Sequence, residues 1–143
     1  MRLTQVELSD LDEILRIENE CFFDPWSKDS FLLDIDNNDS LFIKLVDDND
    51  KLIGYYDAWL SIDDADIGSI AVTKAYQGKG YGEKLLNDLL NRCKEKRIKN
   101  VHLEVNVNNL KAKNLYSKFG FKQTRIRKGY YNGVDAIEMV KGF

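Results

Sequence analysis

The stretch Val72–Leu86, VTKAYQGKGYGEKLL, contains three of the nine glycines of this 143-residue chain, at Gly78, Gly80 and Gly82. An apolar segment typical of a strand precedes it, and a leucine-rich segment with helical spacing follows it. Glycine lets a backbone approach an anion closely, and the free N–H groups at the start of a helix bind anions. The stretch therefore predicts a phosphate-binding turn between a strand and a helix. A flexible surface turn is the alternative.

Two common phosphate-binding motifs do not fit this turn. A Walker loop needs Ser or Thr after a G-K pair, whereas Gly80 is followed by Tyr81. The Rossmann pattern needs glycines at relative positions 1, 3 and 6, and here the third glycine comes one position too early. A third pattern, Q-x-x-G-x-G, is matched by Gln77, Gly80 and Gly82. It resembles the acetyl-CoA loop of the GNAT (Gcn5-related) N-acetyltransferases.

Charge is distributed unevenly along the chain, although the net charge is only -3. Residues 1–70 contain 5 Lys and Arg against 18 Asp and Glu, whereas residues 71–143 contain 16 against 6. The basic half holds the glycine turn and suits an anionic ligand, while the acidic half suits a cationic one. Two differently solvated faces are the simpler explanation. We expect no direct nucleic-acid contact, because basic and aromatic residues are not interleaved.

Composition favours a single domain, residues 1–143, in the cytoplasm. No apolar run has the length of a membrane span, and the first residues lack the apolar region of a signal peptide, so we expect no membrane partner. Cys21 and Cys93 are predicted to be buried thiols, with a disulfide as the alternative. The single histidine, His102, argues against a histidine-based metal site, and we expect no metal.

Hydrophobic periodicity predicts the order β, α, α, β, β, β, α, β, α, β, β. This order indicates an α/β fold, a mixed, mostly antiparallel sheet flanked by about four helices. Ser9 or Asp10 is predicted to cap the first helix, Ser27 to cap the second, and Gly120 to end the last. The predicted apolar stripes of the first three helices are Leu11, Ile14, Leu15, Ile17 and Cys21; Phe31, Leu32 and Ile35; and Leu85, Leu86, Leu89, Leu90 and Cys93.

The resemblance to the GNAT family extends over nearly the whole chain and is most specific in five segments. These are PWSKDSF (25–31), SIAVTKAYQGKGYG (69–82), LEVNVNNLKAKNLYSKFGF (103–121), RKGYY (127–131) and DAIEM (135–139). Together they are similar to the ribosomal-protein-alanine N-acetyltransferases of the RimI type. The resemblance implies the GNAT fold. It also implies that acetyl-CoA, as co-substrate, donates its acetyl group to a protein N-terminal α-amine by direct attack in a ternary complex.

Glu104 and Tyr116 are the catalytic candidates. Every second residue of the segment VHLEVNV (101–107) is apolar, so Glu104 lies on the polar face of a strand. The resemblance implies that Glu104 is the general base for the amine and that Tyr116 protonates the departing thiolate, with water as another proton donor. From the residues alone, Glu104 is an exposed strand glutamate and Tyr116 a core residue. His102 is interpreted as structural or exposed, with a second-base role as the alternative.

The resemblance also assigns residues to the cofactor. Those implied to bind acetyl-CoA are Ile70, Ala71, Val72, Gln77, Gly78, Lys79, Gly80, Tyr81, Gly82, Glu83 and Asn109. The backbone of the first three is expected to pair with the pantetheine arm like an added strand, and the glycine turn to hold the pyrophosphate. Asn109 also suits the N-cap of a helix, which is its simpler role.

The acceptor is the least specified part of the prediction. The resemblance implies an N-terminal alanine on a basic ribosomal-protein tail. Carboxylates of the acidic half are expected to attract such a tail, among them Asp34, Asp36, Asp63, Asp64 and Asp66. Phe23, Trp26 and Tyr131 are expected to wall the acceptor entrance, with core packing or plain solvation as the alternative. Two other functions stay open: acetylation of small amines or lysine side chains, and CoA or partner binding without turnover.

Overall fold

The computed structural model describes the backbone of residues 1–131 and 133–143, and the side chains of all of these except 130 and 131. The strands are β1 (Arg2–Gln5), β2 (Ser40–Val46), β3 (Leu52–Leu60), β4 (Asp64–Val72), β5 (Asn100–Asn106), β6 (Lys122–Tyr131) and β7 (Val134–Gly142). The helices are α1 (Leu11–Cys21), α2 (Lys28–Asp34), α3 (Tyr81–Glu95) and α4 (Leu110–Lys118). The element order is the predicted one, with two short 3-10 turns in addition.

All seven strands form one sheet, in the order β1-β2-β3-β4-β5-β7-β6. Only the contact between β4 and β5 is parallel, because α3 carries the chain across from one strand to the other. The predicted mixed, mostly antiparallel sheet is therefore confirmed. In the part of the chain that the structure describes, no helix is long and apolar enough to cross a membrane.

The sheet opens between β4 and β5. These two strands pair only where Asp64–Asp66 faces Asn100–His102. Beyond that point β4 continues against β3 as far as Val72, and β5 continues against β7 as far as Asn106. The two central strands therefore diverge and leave a gap between their C-terminal halves. This gap lies directly before the glycine turn.

Helices cover the sheet on both faces. On one face α3 packs through its predicted stripe, and its five apolar residues are all buried. On the other face α1 and α2 pack on the half of the sheet that contains β2, β3 and β4. The alternation on β5 is confirmed: its apolar residues face the core below α3, and Glu104 lies on the opposite face with His102 and Asn106.

The helix ends show which sequence signals were correct. Ser27 caps α2 by accepting a hydrogen bond from the Ser30 N–H, as predicted. Gly120 follows α4 with φ of 92°, also as predicted. The prediction that Ser9 or Asp10 caps α1 is correct in position only. Asp10 is the N-cap residue, but its side chain accepts from the Glu7 N–H and from Lys44 instead of from an N–H of the helix. Leu32 was also assigned wrongly to the apolar stripe of α2, since it is exposed.

Candidate active site

Two cavities flank the gap in the sheet and meet inside it. The first, of about 520 Å³, contains Glu104, and the second, of about 630 Å³, contains the glycine turn. They share six lining residues: Cys21, Phe22, Ile70, Asn109, Ala112 and Tyr116. A molecule bound in one cavity therefore reaches a molecule bound in the other. We call the first the acceptor cavity and the second the cofactor cavity.

The glycine turn has the backbone conformation that its sequence predicts. Gly78 and Gly80 have φ of 77° and 87°, a region that residues with a Cβ rarely adopt, and Gly80 is the N-cap of α3. Gly82 lies in the first turn of α3, where a Cβ would be 3.7 Å from the Leu115 side chain. The turn thus presents the first N–H groups of a 15-residue helix to the cofactor cavity.

The edge of β4 forms one wall of the cofactor cavity. The Thr73 N–H donates to Ile53 of β3 at 2.9 Å, and successive residues of a strand direct their backbone groups to opposite sides. Ile70 and Val72 therefore face the gap. The Val72 carbonyl accepts from Gln77 Nε2 at 2.9 Å and from the Cys21 thiol at 3.3 Å. The Gln77 side chain thus braces the turn against the strand.

Several cations surround the outer part of the cofactor cavity. Lys111 and Lys118 are among its lining residues. The ammonium groups of Lys51 and Lys79 lie 5.9 and 5.5 Å from the centre of the Tyr76 ring, which also lines this cavity. Three of these four lysines come from the basic second half of the sequence, and Lys51 comes from the first half. Their charge lies around a helix N-terminus, and the lysines and the helix N-terminus both favour an anion.

Glu104 reaches the acceptor cavity from the middle of β5. Arg127 of β6 contacts its carboxylate through Nη1. His102, the other candidate base, is outside the lining of both cavities and contacts Asp64 at 3.4 Å. Of the two residues, the carboxylate is therefore the one placed to receive a proton from a bound amine.

Tyr116 and Asn109 lie where the two cavities join. The Tyr116 ring is 5.6 Å from that of Phe121, and the residue is almost fully buried. Asn109 caps α4 by accepting from the Ala112 N–H at 3.1 Å, so its predicted capping role is confirmed. Asn109 at this cap lines both cavities.

The loop between α1 and α2 forms the outer wall of the acceptor cavity. Phe23 is 86% exposed at its rim, whereas Trp26 is half-buried and lies 4.8 Å from the Trp59 ring. Gly68 of β4 makes room for both indoles, since a Cβ there would come within 3.0 Å of Trp59 and 3.2 Å of Trp26. The side chain of Tyr131, the third predicted wall residue, lies outside the described residues.

The acidic residues expected to attract a basic tail differ in exposure. Asp36, Asp63 and Asp66 are exposed, and Asp64 is half-buried. The assignment of Asp34 to this group is wrong. Asp34 is buried and accepts hydrogen bonds from Trp59 Nε1 at 2.9 Å and from the Ser40 hydroxyl at 3.4 Å.

Two further buried carboxyl groups were missed in the sequence, Glu18 and Asp57, each 1% exposed. Among the described residues, no donor reaches either oxygen of Asp57. Its neighbour is the Asp34 carboxyl, so a hydrogen bond between the two requires a proton on one of them. Burial, and secondarily this neighbour, raise the pKa of Asp57 to about 10.

The thiols have different environments. Cys93 is buried as predicted, and burial raises its pKa to about 11. Cys21 is only half-buried and lines both cavities, which the prediction of two buried thiols did not anticipate. Both thiols are free, so the alternative of a disulfide is wrong.

Comparison with known proteins agrees with this geometry. The model of the Acetyltransferase (GNAT) family matches residues 11–121. The chain therefore belongs to the GNAT family of acetyltransferases, and the fold class and enzyme class expected from the sequence are confirmed.

The chain is also similar to individual proteins whose names are more specific than the name of the family. The chain is 39% identical over 136 residues, 94% of its length and 90% of the relative, to a Bacillus subtilis protein provisionally named ribosomal protein bS18-alanine N-acetyltransferase. It is 35% identical over 132 residues, 90% of its length and 86% of the relative, to the bS18-alanine N-acetyltransferase of Haemophilus influenzae. The crystal structure of the Escherichia coli ribosomal-protein-S18-alanine N-acetyltransferase superposes with a TM-score of 0.91 at 28% identity, covering 99% of this chain and 92% of that one.

Proposed function

We propose that this protein transfers the acetyl group of acetyl-CoA to the α-amine of the N-terminal alanine of ribosomal protein bS18. Residues 1–143 act as one domain in this reaction, in the cytoplasm. The observation that carries the proposal is the junction of the two cavities, where a glycine turn fit for a pyrophosphate meets a carboxylate fit for an amine. The names of the most similar relatives supply the acceptor.

The cofactor is held by backbone groups more than by side chains. The pantetheine arm runs along the open edge of β4 and pairs with Ile70 and Val72 as an added strand. The pyrophosphate lies at Gly78–Glu83, at the start of α3, with Lys79 beside it. A backbone N–H group at the open edge of β4 then polarises the thioester carbonyl, because this N–H group points into the gap.

The chemistry favours an α-amine as acceptor. An α-ammonium has a pKa of about 7.7–8.0 and a lysine about 10.4, so the α-amine loses its proton more easily by roughly 3–4 kcal/mol. Glu104 takes this proton, directly or through water. The neutral amine attacks the thioester carbon and the carbon–sulfur bond breaks. The nitrogen loses its second proton to water as the amide forms, and Tyr116 or water protonates the CoA thiolate. Neither Cys21 nor Cys93 is required as a nucleophile.

Peptide acetylation tests the proposal. The purified protein is incubated with acetyl-CoA and a peptide of the alanine-starting bS18 N-terminus, and CoA release and peptide mass are measured. The control peptide has a blocked α-amine and free lysines. We expect acetylation of the first peptide alone, with kcat reduced roughly 10²-fold or more in Glu104→Gln. Acetylation of the control instead would point to lysine side chains. Cofactor binding without any product would leave a CoA-binding module.

A further inference from the structure

Glu18 is a buried carboxylate inside the acceptor cavity that the proposed chemistry does not use. It lies in the last turns of α1, is 1% exposed, and lines the same cavity as Glu104. Among the described residues it has no cationic partner, since none of the ion pairs includes it. A buried charge without a cation is costly unless hydrogen bonds satisfy it.

Three donors from three different segments supply those hydrogen bonds. Oε1 accepts from the Tyr55 hydroxyl of β3 and from the Ser69 hydroxyl of β4, the latter at 2.7 Å. Oε2 accepts from the backbone N–H of Trp26 at 3.0 Å. Glu18 therefore joins α1 to the centre of the sheet and to the loop between α1 and α2, and each oxygen has its own partners.

The bond to Trp26 fixes the wall of the acceptor cavity from one side. The other side is fixed by the ring itself, which packs on Gly68 and lies 4.8 Å from Trp59. This loop begins at Phe22, where α1 has ended, and α2 starts only at Lys28. The Glu18 carboxylate is thus a polar anchor of the loop, one residue before the N-cap of α2.

We infer that Glu18 is a positioning residue for the acceptor, an inference that rests on the proposed function. Its carboxylate holds Trp26 and the loop in place as a wall of the cavity that also contains Glu104. Its negative charge also lies in the cavity that a positively charged α-ammonium must enter. Glu18 does not line the cofactor cavity, so we expect cofactor binding to change little when Glu18 is replaced.

The substitution Glu18→Gln isolates this role. The glutamine has one acceptor oxygen and no charge. Either its NH₂ group faces the Trp26 N–H, where two donors cannot bond, or the amide turns over, donates to the Tyr55 and Ser69 hydroxyls and binds that N–H through a neutral oxygen. The charge-assisted bond to Trp26 is lost in both orientations. We expect the KM for the bS18 peptide to rise about tenfold, as for one lost charge-assisted hydrogen bond. We expect kcat to change less than about threefold and the Kd for acetyl-CoA less than about twofold. Exchange of the Trp26 amide hydrogen, measured by NMR, should become faster.

Two controls separate positioning from a general loss of structure. Glu13→Gln makes the same chemical change on the exposed face of α1 and should leave all four quantities unchanged. In a Trp26→Ala background, Glu18→Gln should raise the KM by less than about threefold, because residues that act through each other are not additive. An unchanged KM in Glu18→Gln, whether or not the melting temperature falls, overturns the inference. So does an additive effect in the double variant.

Failure of the proposed function gives a different result. If the wild-type protein acetylates no bS18 peptide, the acceptor assignment falls, whatever Glu18 does. The hydrogen-exchange measurement at Trp26 needs no acceptor, so it still tests whether Glu18 anchors the loop. Unchanged Trp26 exchange in Glu18→Gln refutes it, and faster exchange that is absent in Glu13→Gln supports it.

Discussion

Replacing Asp57 by asparagine is expected to stabilise this protein, and to do so more strongly as the pH rises. Asp57 lies in the middle of β3, 1% exposed, next to the buried carboxyl of Asp34. Burial and this neighbour raise the pKa of Asp57 to about 10, from 3.8 for an unperturbed aspartate. The folded protein therefore keeps Asp57 protonated at neutral pH. The amide of asparagine has the shape of a protonated carboxyl and can donate to Asp34 in the same way.

The sign and size of the effect follow from proton linkage. Asp57 is protonated in both states below its unfolded pKa, so its contribution to stability is fully present there. As the pH rises from about 4 towards 10, the unfolded chain releases the proton and the folded chain retains it. Each pH unit in this range then lowers the free energy of unfolding by about 1.4 kcal/mol. At pH 7 the accumulated cost is about 4 kcal/mol, which Asp57→Asn removes.

Urea unfolding at pH 5, 6.5 and 8, followed by tryptophan fluorescence, measures this difference. The stability of Asp57→Asn relative to wild type should increase by about 4 kcal/mol between pH 5 and pH 8. Asp36→Asn is the matched control, because Asp36 is exposed and asparagine also tolerates its φ of 59°. It should show no such trend. A constant difference between Asp57→Asn and wild type at all three pH values would show that Asp57 is ionised in the fold, which refutes the reasoning.

Two other predictions concern the turn and the thiols. Gly80→Ala should destabilise the unliganded protein by about 1 kcal/mol because of its positive φ, whereas Gly82→Ala should stabilise it by about 0.5–1 kcal/mol as a helical glycine. Urea unfolding without cofactor measures both, and equal effects of the same sign would contradict the assignment of strain to Gly80. In the folded protein at pH 8, Cys21 should react with a thiol reagent before Cys93, because Cys93 is fully buried with a pKa raised to about 11. Acetyl-CoA should slow the reaction of Cys21, because this residue lines both cavities. A Cys21→Ser variant should lose the fast phase of the reaction. Faster reaction of Cys93 than of Cys21 would contradict the burial argument.

The order of helices and strands was predictable because each element shows its own period in the sequence. The stripe of α3 and the alternation of β5 each lie within a continuous segment, so no distant contact was needed to assign them. The glycine turn was predictable for the same reason. A strand precedes it and a helix follows it in the chain, and glycines in such a turn predict an anion-binding site.

The buried carboxyl groups were not predictable in this way, because their partners are distant in the chain. Glu18 is 37 residues from Tyr55 and 51 residues from Ser69. A weaker signal was present: Glu18 follows Leu11 and Ile14 at helical spacing, so it lies on the buried face of α1. Asp57 likewise interrupts a strand, β3, that contains no other charged residue. An acidic residue at an apolar position indicates a buried site more than a solvated surface.

The open edge of β4 links the fold to the proposed cofactor. A strand in the middle of a sheet normally has partners on both sides, and buried N–H and C=O groups without partners are costly. Here β4 keeps β3 along nearly its whole length but has β5 only at Asp64–Asp66. One of the groups that face the gap, the Val72 carbonyl, is satisfied by Gln77 and Cys21. The groups of Ile70 face the same gap, so the strand is built to take a further partner there. The pantetheine arm of CoA carries two amides, which makes it a suitable partner. In the proposed complex the thioester then ends beside Tyr116, where the two cavities join, and next to the cavity that contains Glu104.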